Sequence, residues 1–406
     1  MVLRVHKHNV RWVLWAVGAI LIVAIGVVLY VMSQRNMPQK TATHTVKQDL
    51  VAPVTPVAIQ STIGFFGNVY WGRDINTTAR ASDLGVAFPF SRLNEFDRDS
   101  YDAWVTGLEC PSVPRVNLTA AQEQATLTFN CSPDYLPEAA KWFTAVTLAN
   151  NHTDNQGVDG FAATKAQLEQ HGIQYFGHYD PKALDDICDV IRISARIVMS
   201  DKSEKPAALP IALCGYHGVF RIPSDASLAV MRRYSEVMPV VAMPHAGAEY
   251  QASPDQMKTT LYRKMIDNGA DVVIGDHPHW VQTTESYNGH LIVYSMGNFI
   301  FDQYRSPEVR RSAGIKLALR ADAQASEIEQ WVQIAESCVA YRDNCLERAE
   351  ELSLERLPFD FTFGVIPTSS DGKIAHPASE EETRGIMDRL RWDETASQLQ
   401  LPYRAE

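Results

Sequence analysis

Apolar positions in this chain fall into short runs that each stop at a polar cluster. Val57–Phe66 leads into Gly67, Asn68 and Arg73; Ala103–Leu108 into Glu109; and Phe143–Leu148 into Asn150, Asn151 and His152. Val237–Met243 leads to His245, and Val272–Ile274, closed by Gly275, leads to His277 and His279. Leu291–Tyr294 ends in Ser295, Gly297 and Asn298. Runs of this length bounded by polar punctuation predict buried strands. Between them, Val158–His171 has apolar residues at helical spacing and a Gly172 stop. Pro254–Asn268 predicts a second helix, with Ser253 as N-cap, Gln256 completing a capping box and Gly269 just past the end. Strands alternating with helices predict an α/β architecture with mostly parallel pairing, whose ligands bind at the carboxyl ends of the strands. The first five of these runs, which bring Asn68, Glu109, Asn151 and His152, His245, and His277 and His279 to strand ends, therefore predict one site built from five loops. Further on, Ser312–Ala321 and Gln330–Ala335 read as two more strands, and Leu352–Gln400 mixes charged segments with Phe359–Ile366 and carries no recognisable chemistry.

The N-terminus has a different pattern. Trp12–Met32 is 21 residues without a charge, a length that spans ~30 Å as a helix and matches a bilayer core. It is longer than a signal-peptide apolar region and no A-x-A site follows, so an uncleaved anchor is expected. Arg4, Lys7 and Arg11 precede it, which favours a cytoplasmic N-terminus and an exported body, while Arg35 and Lys40 weaken that asymmetry. The expected division is a cytoplasmic tail (1–11), a transmembrane anchor (12–32), a polar linker (33–56), a large domain (57–345) and a C-terminal extension (346–406).

Charge and cysteines sharpen this picture. Residues 1–40 carry five Lys and Arg and no acid, a charge of +5, which leaves −16 on the remainder of a chain whose net charge is −11. An acidic body argues against nucleic acid as a partner. Cys110, Cys131, Cys188, Cys214, Cys338 and Cys345 all follow the anchor, without a CxxC. Three disulfides between sequence neighbours suit an oxidising compartment, although spacing alone does not fix the pairing.

The candidate metal ligands are Glu109, Asn151, His245, His277 and His279, with Asn68 as a weak member and His152 and Arg73 as catalytic candidates. Imidazole, carboxylate and amide oxygen together suit one or two of Mn, Fe or Zn. Paired cations of this kind activate water and neutralise a phosphate-like transition state. Glu109 is the one acid at a strand end that can bridge two cations, and Arg73 can bind an anionic substrate bidentately. Each residue alone has an ordinary explanation: a loop histidine, a turn asparagine, a capping glutamate, an Arg73–Asp74 surface pair. Asp154 and Asp276 border the cluster as ligand-orienting or turn residues. Tyr294, Ser295, Gly297 and Asn298 read as a tight turn beneath the site, and His171, His178, His217 and His290 as structural. No GxSxG, Walker loop, GxGxxG or HExxH is present.

Seven segments in order, GNVYWGRDIN (Gly67–Asn76), LEC (Leu108–Cys110), TLANNHTDNQGVDG (Thr147–Gly160), HGIQYFG (His171–Gly177), PHAGAEY (Pro244–Tyr250), GADVVIGDHPHWVQ (Gly269–Gln282) and YSMGNFIFD (Tyr294–Asp302), resemble the CapA (PgsA) family of capsule and poly-γ-glutamate synthesis proteins. The resemblance spans roughly Val57 to Asp302. It implies a calcineurin-like metallophosphoesterase fold, a four-layer αββα sandwich, preceded here by one transmembrane helix. It also implies a single-pass cell-membrane protein, its C-terminal domain outside the cytoplasm, working with other components of a surface-polymer synthesis complex on an anionic polymer or phosphoester. Carried over by position, Glu109 is the bridging acid, Asn151 the amide ligand, and His152 the histidine beside the scissile group. His245, His277 and His279 complete the metal shell. One position departs: the family's first motif has Asp where this chain has Asn68, and a neutral amide binds a divalent cation less strongly. A hydrolase, a non-catalytic scaffold with a degraded metal site and an exported phosphatase unrelated to capsule all remain open on sequence.

Overall fold

Strand β1 (Pro56–Val69) organises the molecule because its 14 residues serve two neighbourhoods. The computed structural model describes residues 10–35, 53–340 and 344–406, with side chains described from residue 21 and not at 339–340. After β1 come β2 (Ala103–Leu108), β3 (Ala145–Thr147), β4 (Gln174–Phe176), β5 (Cys188–Met199) and β6 (Glu204–Gly218). They are followed by β7 (Val240–Ala246), β8 (Val272–Ile274), β9 (Thr284–Tyr287), β10 (His290–Val293) and β11 (Asn298–Ile300). The last four are β12 (Ser312–Asp322), β13 (Asp360–Ser370), β14 (Ala375–Pro377) and β15 (Tyr403–Ala405).

These strands form one mixed sheet that branches at β1. The main path runs β14-β13-β12-β1-β5-β6-β7-β8-β10-β9, with β2, β3, β4 and β11 leaving it at β1. The N-terminal half of β1 pairs antiparallel with β5, and its C-terminal half pairs parallel with β2 (Asn68 opposite Gly107) and β11 (Asn68 opposite Asn298). The β2–β4 branch curls back to the main path. The Gln174 side chain there exchanges two hydrogen bonds with the Arg192 backbone, and His178 bridges to Tyr216. Successive side chains of a strand face opposite ways, and β1 uses this to feed two cores. Ile63 and Phe65 join the large aliphatic core over β5–β8, while Phe66 joins an aromatic core with Trp104 and Phe299.

The predicted strands β2 and β8 have the predicted bounds, and the predicted helices appear as Gly157–Gln170 and Gln256–Asp267. Asp255, not Ser253, caps the latter, its side chain accepting from Lys258 N. Ser253 instead turns its carbonyl to the Gln282 side chain. Gln330–Ala335 is not a strand but lies within the helix Ala325–Ala340. Its buried residues Ile328, Trp331, Ile334, Ala335 and Cys338 recur every three or four positions, which is a helical face. Residues beyond 345 extend the main sheet, β13 pairing along most of β12 and β15 along β13, within the compact unit Val54–Glu406. The disulfides are Cys110–Cys131, Cys188–Cys214 and Cys338–Cys345, all between sequence neighbours.

A separate unit, Met1–Pro53, contains the helix Val10–Arg35. The tail 1–9 and most of the linker, 36–52, lie outside the described residues, as do the side chains of the first part of the predicted anchor. Among the described residues no helix is long and apolar enough to cross a membrane.

Candidate metal centre

Each site residue sits where a strand stops. Glu109 follows β2, Asn151 and His152 follow β3, His245 lies near the end of β7, and His277 and His279 follow β8. The placement strains the backbone: His277 (φ 94°) and His279 (φ 59°) flank Pro278 in the left-handed region, which side chains with a Cβ rarely adopt. Close packing fixes the floor, since a Cβ on Gly67 would lie 1.8 Å from Gly297 O, whose oxygen accepts from Asn68 N.

Glu109 is the centre, 1% exposed. Its Oε1 lies 3.9 Å from His245 Nε2, 3.9 Å from His279 Nε2 and 4.0 Å from His152 Nε2. His245 Nε2 is in turn 2.9 Å from Asn151 Oδ1 and 3.1 Å from His277 Nδ1. Donor atoms about 3 Å apart have the edge spacing of ligands held at ~2.1 Å around one cation. Glu109, His245 and His277 each offer a ligand atom, and these atoms lie within 4.8 Å of one another.

Electrostatics favour the same chemistry. Burial, reinforced by neighbouring imidazoles, holds His245 and His277 well below the ordinary histidine range. Burial also lowers His152 and His279 to about 4. All four rings are therefore neutral near pH 7, the form whose lone pairs bind metal. Glu109 is pushed well above the usual carboxylate range by burial and then by Asp276. Its Oε2, Asn68 Oδ1 and both oxygens of Asp276 are buried without a hydrogen-bond partner. Such groups are costly unless a cation or donor meets them, so the residues present fit a divalent cation.

Neighbouring side chains set the ring orientations. His279 Nδ1 donates to Asn298 Oδ1 at 2.8 Å and His152 Nδ1 to Asn155 Oδ1 at 3.0 Å, which leaves each Nε2 facing Glu109. Phe129 stacks on His152 with ring centroids 4.0 Å apart. Asn150 builds the loop below, its Nδ2 donating to Leu108 O while its Oδ1 accepts from the His152 and Thr153 amides. Asn298 thus orients a site ring as well as shaping the turn, a role its local sequence does not signal.

A cleft of about 510 Å³ opens onto Glu109, His152 and His279, walled by Arg73, Phe129, Tyr250, Trp280 and Tyr304 among others. Arg73 does not pair with Asp74. Its Nε and Nη2 grip Asp302 at 2.5–3.1 Å, and the guanidinium lies over the Tyr70, Phe129 and Phe301 rings. Asp74 lines the same cleft, its amide donating to Asp302. Asp154 pairs with Arg221, and its charge also acts on His152 and His217. His217, which reads as structural in the sequence, lies directly opposite His245 across β6 and β7, 2% exposed. Its Nδ1 donates to Tyr179 O while its Nε2 is buried without a partner. No local motif marks it; only the pairing of two strands brings it to His245.

Residues 62–303 match a family described as bacterial capsule synthesis protein PGA_cap. Over 171 residues, 40% of this chain and 43% of the relative, the sequence is 32% identical to PGA biosynthesis protein CapA of Bacillus subtilis (strain 168). Over 172 residues, 40% of this chain and 41% of the relative, it is 30% identical to capsule biosynthesis protein CapA of Bacillus anthracis. The matched stretch thus spans less than half the length of either curated relative. Among solved structures, TT1561 of Thermus thermophilus aligns over 63% of this chain and 93% of its own, at 9% identity and a TM-score of 0.34, a likeness too loose to carry an argument. With the family match covering more than half of its length, this chain belongs to the bacterial capsule synthesis protein family PGA_cap.

Proposed function

We propose that this chain is a membrane-anchored component of capsule or poly-γ-glutamate biosynthesis whose exported domain is a calcineurin-like, metal-dependent hydrolase of phosphoester-type bonds. The carrying observation is the convergence of His152, His245 and His279 on one buried carboxylate, Glu109, at the floor of an open cleft. The anchor is the uncharged stretch Trp12–Met32.

Within this reading, Glu109, His245, His277 and Asn151 hold a divalent cation, Mn, Fe or Zn, and His279 and Asn68 complete the shell around Glu109. When bound, such a cation neutralises an anionic transition state and lowers the pKa of water. The remaining chemistry belongs to the side chains. His152, neutral and fixed by Asn155 and Phe129, accepts or returns a proton at Nε2 beside the bond being cut. Arg73, its orientation fixed by the ion pair with Asp302, acts with its charge on Glu109, His152 and His279 without needing to reorganise. Tyr250, Trp280 and Tyr304 form walls that exclude water from a bound polymer segment.

Asn68, standing in place of a carboxylate, favours the second reading, a scaffold that retains the fold and has no turnover. Full-length protein loaded with Mn²⁺ and assayed on aryl phosphodiesters and on an anionic polymer separates the two. The hydrolase reading expects turnover that Glu109→Gln removes. Turnover no higher than that of the Glu109→Gln control, with metal bound in the wild type, would establish the scaffold.

A further inference from the structure

Beside the Glu109 carboxylate lies a set of buried oxygen atoms that meet no side-chain donor, the neighbouring His277 amide being the one group that favours the charged form of Asp276 by hydrogen bonding. Asn68 Oδ1, Glu109 Oε2 and Asp276 Oδ1 and Oδ2 are buried and unpartnered, on residues exposed by 0%, 1% and 4%. They come from the ends of three different strands, β1, β2 and β8. Asp276 is held rigidly there: its amide donates to Pro244 O and its carbonyl accepts from Ala246 N. Gly107, opposite Asn68 in the sheet, leaves the room. A Cβ at that position would lie 3.3 Å from Asp276 Oδ2 and 3.6 Å from Asn68 Oδ1, so both acceptors face one small space. Asp276 is also the charged neighbour that acts most strongly on Glu109.

Among the described residues no side-chain donor resolves this arrangement. Lys258 is fully buried close by and its charge acts on Asp276, but its Nζ donates to Gln282 Oε1 at 3.0 Å and burial pushes it down to about 7. Asp74 lies out in the cleft. The Asp276 and Asn68 oxygens face one space, and the Asp276 charge acts on the buried Glu109; in a low-dielectric interior such acceptors repel one another unless a cation lies among them. An all-oxygen set favours a hard divalent ion such as Mg²⁺ or Mn²⁺, in contrast with the imidazole-rich set around His245 and His277.

We propose that Asn68, Glu109 and Asp276 form a hard, oxygen-ligand cation position next to the nitrogen-rich one, with Asp276 supplying the negative charge that Asn68 lacks. This rests on reading the centre as a metal site, in which Glu109 would be shared by the two positions. The centre is then asymmetric. One position is set by His245, His277 and Asn151, the other by the acid that immediately precedes the first histidine of the loop.

Mn²⁺ titration of the chelator-stripped full-length protein, followed by electron paramagnetic resonance and elemental analysis, tests it. Wild type should bind two equivalents. Asp276→Asn, close in shape and able to fold, should weaken one of them at least tenfold and keep the other, while His277→Ala should weaken the opposite one. Asn68→Asp in the Asp276→Asn background should restore the lost equivalent, a rescue that a merely structural Asp276 would not give. Two unchanged equivalents in Asp276→Asn, or failure of the Asn68→Asp rescue, would overturn the proposal while leaving the metal-site reading intact. A wild type that binds no Mn²⁺ would remove both.

Discussion

The deep wall of the centre and its mouth are built on opposite physical plans. In the wall, His245, His277, Asn68 and Asp276 have almost no exposed surface, and the oxygens of Asn68 and Asp276 meet no side-chain donor. At the mouth, polar groups are satisfied: Arg73 is clamped by Asp302, His152 by Asn155 and His279 by Asn298. A wall of unsatisfied acceptors and neutral imidazoles is set to take up positive charge. A mouth whose groups are already paired is set to hold its shape. Metal content should therefore report on the wall, and stability and turnover on the mouth.

The sharpest break of that contrast comes from the wall. His277→Ala should lower affinity for a transition metal by well over the ~100-fold reached by residues that only orient ligands, with little change in far-ultraviolet circular dichroism. Metal analysis after equilibrium dialysis reads it.

The next largest effect belongs to the mouth. Arg73→Ala leaves Asp302 buried and unpaired (side chain 3% exposed), and breaking such a pair costs about 3–5 kcal/mol. Urea unfolding should show that loss while the bound metal is retained. Metal loss with stability unchanged would reverse the assignment of the two regions.

Asn298→Ala tests the boundary between them. Removing the acceptor that fixes the His279 ring should weaken one metal position roughly 10–100-fold, without the stability loss of the Arg73 variant.

The smallest effect is pH-dependent. His152 and His279 are lowered to about 4 from 6.5, mainly by burial. As pH falls from 6.5 towards 4 the unfolded chain takes up protons before the folded one, so the metal-stripped protein loses stability across that window. At pH 5 the loss is roughly 1–2 kcal/mol per ring. His152→Asn should flatten the slope of melting temperature against pH.

Strand ends were the legible part of this chain, because an apolar run that stops at Glu109 or at His277 and His279 states both its burial and its chemistry locally. What depends on long-range pairing was not legible. Arg73 meets Asp302 across 229 positions, and Asn298 reaches the site because β11 pairs with the far end of β1. His217 comes beside His245 through the pairing of β6 with β7. The long β5–β6 hairpin has no signature because it ends in no recognisable motif, although a disulfide ties Cys188 to Cys214 across its register. The C-terminal strands are equally silent, since they add packing to β12 and bring no ligand. Gln330–Ala335 misleads because a few apolar residues in a short window fit either period; Ile328 and Cys338 on the same face decide for the helix.

The most direct test is elemental analysis of full-length protein purified without chelator, beside Glu109→Gln prepared identically. The account predicts at least one equivalent of Mn, Fe or Zn per wild-type chain and substantially less in the variant. A folded wild type with no bound transition metal, or a Glu109→Gln variant that retains all of it, would contradict the claim that this buried carboxylate is the heart of a metal centre.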